Sequence, residues 1–260
     1  PSVMAPCSAP APTSTVAVIF GGGKGGLSDV GRFAVMHARS EPGVRLVPIA
    51  LSLRRAESVH DATQSAVQYA GGNERLAEAF KGLEFEHLDV EDDGTQSRLA
   101  ALLKGCDAVV AALGNRQPGL PRYLEAGARL VVGALEEAGV RPRLVVLSSF
   151  GIGDFRPRTL VEHIWRAMLL TVLRGARSDL QGLERAVASA PGDYLLVRPV
   201  GMADDVEPTG EWRLMTGPGE MEINVNKEDV ARCLLEEALR PTLHSTAVIV
   251  CPKAKGAEGA

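Results

Sequence analysis

Chemistry in this chain could reside in two places: a glycine-rich turn near the start and a pair of serines near the middle. From Gly21 to Gly31 the order is GGGKGGLSDVG, which sets Gly21, Gly22, Gly23, Gly25, Gly26 and Gly31 around a single lysine. Glycines leave backbone N–H groups uncovered, and Ser28 or Asp29 stands where a helix would be capped. The turn therefore suits an anion resting on a helix N-terminus. Ser148 and Ser149 follow the apolar run RLVVL at 143–147. Hydroxyls at the carboxyl end of a central strand sit where open α/β sheets bind ligands, so both are catalytic candidates; the competing role is hydrogen bonding to the loop that follows.

The elements that must position these groups alternate along the chain. Residues 16–20 (VAVIF) read as a strand buried on both faces, and the helix after the glycine turn shows an apolar face of Val30, Phe33, Ala34 and Ala38. Further strand-like runs lie at 44–51 (VRLVPIAL, despite Pro48), 83–90, 107–113, 143–150, 194–199 and 245–251, with helical periodicity between them. Ser178 or Asp179 is expected to open one late helix, and Asn226 to cap the last with Asp229 reaching back. Seven runs in this alternation predict an α/β, Rossmann-type doubly wound parallel sheet of order 3-2-1-4-5-6-7. The expected layout is a leader at 1–14, one domain at 15–251 and a polar tail at 252–260. Within the domain, 204–219 is broken by acidic residues, glycines and prolines, and reads as a loop or small hairpin over the sheet's carboxyl edge, a candidate substrate lid.

Position on that frame assigns further roles. The end of the second strand meets an adenosine ribose in such sheets, through an acidic side chain for NAD or an arginine for the 2′-phosphate of NADP. No Asp or Glu occurs from Val44 to Ala56, and Arg54 and Arg55 follow the strand, which favours NADP(H) over NAD(H). The two arginines could equally be solvated charges opening a helix. Asp89, ending the third strand, could accept from the adenine amino group or simply belong to the acidic loop that follows. Gly114, after the fourth strand, lets a nucleotide lie against backbone.

The glycine spacing departs from G-x-G-x-x-G and G-x-x-G-x-x-G by about four residues between Gly21 and Gly31. A phosphate loop of nucleoside triphosphatases would need a lysine followed by Ser or Thr, which Leu27 to Val30 do not supply. An ordinary glycine loop is the remaining alternative.

Composition narrows the partners. The net charge of −4 and the lack of a basic run argue against nucleic acid as the main partner, and no run of ~18 apolar residues could span a membrane. Cys7, Cys106, Cys233 and Cys251 stand without metal spacing, as buried thiols in a reducing compartment would. The uncharged leader fits the cytoplasm, or an organelle such as the plastid if it is a processing remnant.

Several segments, taken together, resemble the atypical short-chain dehydrogenase/reductases, in particular their NmrA-like and flavin-reductase-like NAD(P)H-binding members. The matching pieces are FGGGKGG…VGR at 20–32, LDV at 88–90, AALG at 111–114, VVLSSFGIGD at 145–154, LLVRPVG at 195–201 and KEDVA at 227–231. The resemblance implies cofactor contacts at the glycine turn, at Arg54 or Arg55, at Asp89 and Val90, at Ala112, Leu113 and Gly114, at the serines, and at Pro199 and Val200. The family's Tyr-x-x-x-Lys pair is missing, because Tyr69, Tyr123 and Tyr194 are followed four residues on by Asn73, Gly127 and Arg198. His163 falls near the expected distance from Ser149 and could move a proton, or could be structural. Two functions fit: a reductase passing hydride from NADPH to a small flavin, quinone or conjugated carbonyl acceptor, or an NAD(P)(H)-binding sensor, assembly factor or complex subunit with little turnover.

Overall fold

The computed structural model describes residues 13–21, 28–52, 73–114, 123–152, 163, 167, 174–203, 206–217 and 224–253. In chain order these form β1 (Ser14–Gly21), α1 (Asp29–Ser40), β2 (Val44–Ser52), α2 (Glu74–Phe80), β3 (Glu86–Asp89), α3 (Thr95–Leu103), β4 (Ala108–Leu113), α4 (Tyr123–Ala138), β5 (Arg143–Leu147) and α5 (Arg174–Val187). Then come β6 (Tyr194–Pro199), β7 (Met202–Ala203), β8 (Trp212–Met215), β9 (Val225–Asn226), α6 (Lys227–Leu239) and β10 (Thr246–Pro252).

The main sheet runs β3-β2-β1-β4-β5-β6-β10-β8 and is parallel except for β8, which pairs antiparallel with β10. The doubly wound order is therefore the expected one, with eight strands rather than seven. Alternate residues of β1 feed opposite cores. Val16, Val18 and Phe20 pack under α1, α2 and α6, whereas Ala17 and Ile19 pack under α3, α4 and α5. Every residue of β4 is buried, as a strand covered on both faces requires. Pro48 is tolerated because β3 pairs only with Ile49–Ser52, so no partner faces it on that side.

Four expectations are corrected. The stretch 204–219 was expected to lie over the sheet as a loop or hairpin, yet its residues 212–215 form edge strand β8, templated by the open edge of β10. Asp179 does not open α5, which starts at Arg174. Its buried carboxylate instead accepts from the N–H groups of Leu124 and Glu125, at 3.1 and 2.8 Å, and so caps α4 from a neighbouring helix. Asn226 caps α6 as expected, but Asp229 turns away to accept from Thr209 N–H at 3.0 Å and Gly210 N–H at 2.8 Å. β1 also begins at Ser14, inside the expected leader.

The amino edge is held by a polar clasp. Asp193 accepts from Arg143, from the His244 ring, and from the Ser245 N–H at 2.9 Å and hydroxyl at 3.1 Å. Partial burial alone would raise its pKa; the bonds from His244 and Ser245 and the charge of Arg143 outweigh this and hold it at about 2, against an ordinary 3.8. A carboxyl depressed by folding stabilises above its unfolded pKa, and that contribution disappears as pH falls from about 4 towards 2. Urea midpoints of wild type and Asp193→Asn should accordingly converge over that range after differing at pH 6. A constant gap would remove Asp193 from the acid response.

Candidate functional site

The carboxyl ends of β1, β2 and β4 meet at Gly21, which stands in register with Leu51 and Leu113, and three glycines shape the junction. A Cβ on Gly21 would lie 1.8 Å from the Leu51 carbonyl oxygen and 2.2 Å from the Tyr123 hydroxyl. One on Gly31 would lie 2.3 Å from Phe20 Cβ, so α1 packs on β1 only because that residue lacks a side chain. Gly114 donates its N–H to Gly21 O at 2.8 Å, carrying the β1–β4 ladder one residue past β4. Ser28, not Asp29, caps α1: its hydroxyl oxygen accepts from Gly31 N–H at 2.9 Å and donates to Ala112 O at 2.6 Å. The helix start is thus fixed to the end of β4. Asp29, one residue in, pairs with Lys227 of α6 at 2.9 Å and with Arg32.

Tyr123 fills the space under this junction. Its hydroxyl donates to Leu51 O at 2.6 Å, and burial, followed by the nearby Asp179 charge, pushes its pKa well above the ordinary tyrosine range. It is a plug, not a proton carrier. Tyr194 lies at the opposite, amino end of β6.

The remaining expected cofactor contacts divide. Asp89 ends β3 opposite Ser52, and one of its carboxylate oxygens accepts from Glu91 N–H at 3.0 Å within its own turn. Val90 N–H bonds Ser52 O at 2.8 Å. Ala112 and Leu113 have core side chains. Pro199 O accepts from Phe150 N–H, while Val200 is buried and donates to Val250 O. Gly22, Gly25, Gly26, Arg54 and Arg55 lie outside the described residues.

The two serines have different surroundings. Ser148 is buried and donates to Glu184 of α5 at 2.6 Å, while Arg198 of β6 reaches the same carboxylate with two bonds of 2.8 and 2.7 Å. Ser149 is half-buried, and its hydroxyl contacts Phe150 O at a long 3.4 Å. His163 is helical and exposed. Glu184 and Arg198 went unrecognised in the sequence, although an arginine inside the buried run LLVRP is itself a signal, since a strand-borne guanidinium needs a carboxylate partner.

Cys106, Cys233 and Cys251 are buried free thiols, and burial pushes Cys106 up to about 11. Among the described residues no group of three or more His, Cys, Asp or Glu could hold a metal ion, and no helix is long and apolar enough to cross a membrane.

The junction suits a dinucleotide: side chains are excluded at Gly21 and Gly31, and a capped helix start faces the end of β4. Comparison with known proteins agrees. Residues 25–241 match the family model described as NAD(P)H-binding. No curated protein matches the chain significantly. Among solved structures, an oxidoreductase from Lactococcus lactis is 16% identical with a TM-score of 0.63, covering 93% of this chain and 92% of its own. An anaerobillin reductase from Escherichia coli O157:H7 is 20% identical with a TM-score of 0.62, covering 94% and 100%. A wide-type short-chain dehydrogenase/reductase from Veillonella parvula, solved with NADP, is 14% identical with a TM-score of 0.62, covering 93% and 95%. At these identities the likeness is one of fold.

Proposed function

The chain belongs to the NAD(P)H-binding family, and from that premise we propose that it is an NADPH-dependent reductase acting on a flavin, quinone or conjugated carbonyl compound. One observation carries the choice of acceptor. Neither described tyrosine can deliver a proton at the serines, because Tyr123 is spent on Leu51 O and Tyr194 opens β6 at the far edge. Acceptors that spread the incoming charge over a conjugated system need little acid assistance, whereas a simple ketone or a sugar-nucleotide carbon needs an acid that neither of these tyrosines supplies. The bound nicotinamide would supply hydride, and the protein would supply position and exclude water.

The residues that would hold the cofactor are Gly21, Gly31 and Gly114 with the capped start of α1, and Ser149 at the end of β5. The proposed preference for NADPH rests on Arg54 and Arg55 and on Ser52, which ends β2 where an acidic residue would favour NADH. The anaerobillin reductase and the NADP-bound relative in fold support a conjugated acceptor and this cofactor. That neither described tyrosine can carry a proton there also favours one second function, an NAD(P)(H)-binding sensor or assembly subunit that turns over little.

Nicotinamide fluorescence and absorbance test both. NADPH should bind, its emission rising, and a soluble naphthoquinone should then oxidise it. Arg54→Ala with Arg55→Ala should weaken NADPH about tenfold more than NADH, a guanidinium–phosphate pair contributing roughly that factor. Binding without oxidation would select the sensor, and failure to bind either nucleotide would overturn both.

A further inference from the structure

We infer that Arg198 and Glu184, acting through Ser148, are positioning residues that fix the Ser149 hydroxyl at the site. The inference rests on the hydride-transfer function proposed above and concerns how its site is held. Residues 148–150 are pinned on both flanks by β6: Ser148 N–H donates to Val197 O at 2.7 Å and Phe150 N–H to Pro199 O at 3.2 Å. Arg198 is the residue between those two carbonyls. Its guanidinium holds Glu184 by two bonds, and Glu184 takes the Ser148 hydroxyl at 2.6 Å. Strand β6, helix α5 and the end of β5 are thereby joined through one carboxylate.

A carboxylate accepts only, so the hydrogen on the 2.6 Å bond is the serine's, and Ser148 has none left to donate. Ser149, between the two pinned residues, has among the described residues only the long 3.4 Å contact to its neighbour's carbonyl, and the chain turns away at Gly151, where φ is +84°. Its hydroxyl is therefore the one able to donate to a carboxamide or to the oxygen of an acceptor. The Ser148 network sets where that hydroxyl stands. This places the two serines in separate roles, Ser149 towards the ligand and Ser148 towards the scaffold.

The test uses the full chain with NADPH as donor and a soluble naphthoquinone as acceptor. Ser149→Ala should lower kcat at least tenfold. Ser148→Ala and Glu184→Gln should each lower it about tenfold, as small misplacements of a reacting geometry do, with the KM and fluorescence-determined Kd for NADPH within twofold of wild type. In the Ser149→Ala background neither should lower kcat further, because the hydroxyl they position is gone. Without cofactor, urea midpoints of Ser148→Ala, Glu184→Gln and their double variant should be non-additive, showing one network. Arg198→Lys should retain part of the rate. If Glu184→Gln folds poorly, Ser148→Ala alone decides, since it removes a single bond. Wild-type kcat in Ser148→Ala, or losses that persist undiminished in the Ser149→Ala background, would overturn the positioning role while leaving the reductase assignment intact. Wild-type protein that binds NADPH without oxidising it would overturn both.

Discussion

Replacing Gly21 by alanine will destabilise the protein by about 3 kcal/mol or more and remove nucleotide binding with it. The added methyl would stand 1.8 Å from Leu51 O, 2.9 Å from Leu51 C and 2.2 Å from the Tyr123 hydroxyl. Two of these atoms are backbone of the adjacent strand, in register with Gly21 across the β1–β2 ladder. They cannot retreat without opening the end of that ladder. Overpacking of a rigid site costs about 1–3 kcal/mol, and displacing the Tyr123 hydroxyl from its buried acceptor adds about 1 kcal/mol. Tyr123→Phe separates the two costs. Alone it should lose about 1 kcal/mol, the single bond to Leu51 O; combined with Gly21→Ala it should recover only part of the loss, because the clash with the carbonyl remains. Urea unfolding followed by far-ultraviolet circular dichroism, with NADPH fluorescence beside it, reads both effects. Gly21→Ala within about 0.5 kcal/mol of wild type, the range of a surface change, would mean that the junction yields and is not a fixed cradle.

The same residues show what could be learned from the sequence. The strand and helix at the start are local, and their signals are local: an apolar run stopped by glycine, a capping serine, and an apolar face at helical spacing. The strand order follows from alternation and the handedness of parallel crossovers, so it too was legible. What was not legible lies between residues far apart in the chain. β8 is four residues long in a stretch full of turn formers, and it is a strand because β10 presents an open edge to it. Asp179 looks like a helix opener, yet it caps a helix more than fifty residues earlier. Glu184 reads as one more polar residue on an amphipathic helix until Arg198 and Ser148 are brought to it. Apolar periodicity states which face is buried; it carries no information about which carboxylate a buried cation will meet.

Removing the charge of Arg143 will cost about 3–5 kcal/mol, although this residue is remote from the carboxyl edge. Its side chain is only 7% exposed at the start of β5. The guanidinium donates to Asp193, to Leu243 O at 2.5 Å and, with longer bonds, to Glu237 O and Tyr194 O; the buried Glu237 carboxylate lies 3.8 Å away. Arg143→Met keeps most of the stem's volume and leaves these acceptors without their donor. Breaking a pair by removing one buried partner is more damaging than replacing both, because the charge left behind loses its counter-charge. Here Asp193 keeps its bonds from His244 and Ser245 and Glu237 those from Thr242, but neither keeps the guanidinium. Arg143→Met combined with Asp193→Asn should therefore be less unstable than the sum of the two single variants. Arg143→Lys should fall between wild type and Arg143→Met, since one ammonium cannot span acceptors contributed by β6, α6 and the turn before β10. Urea unfolding at pH 7 measures the cycle. If Arg143→Met lies within about 1 kcal/mol of wild type, a weight typical of a single exposed ion pair, the strands hold the amino edge unaided and the clasp merely decorates it.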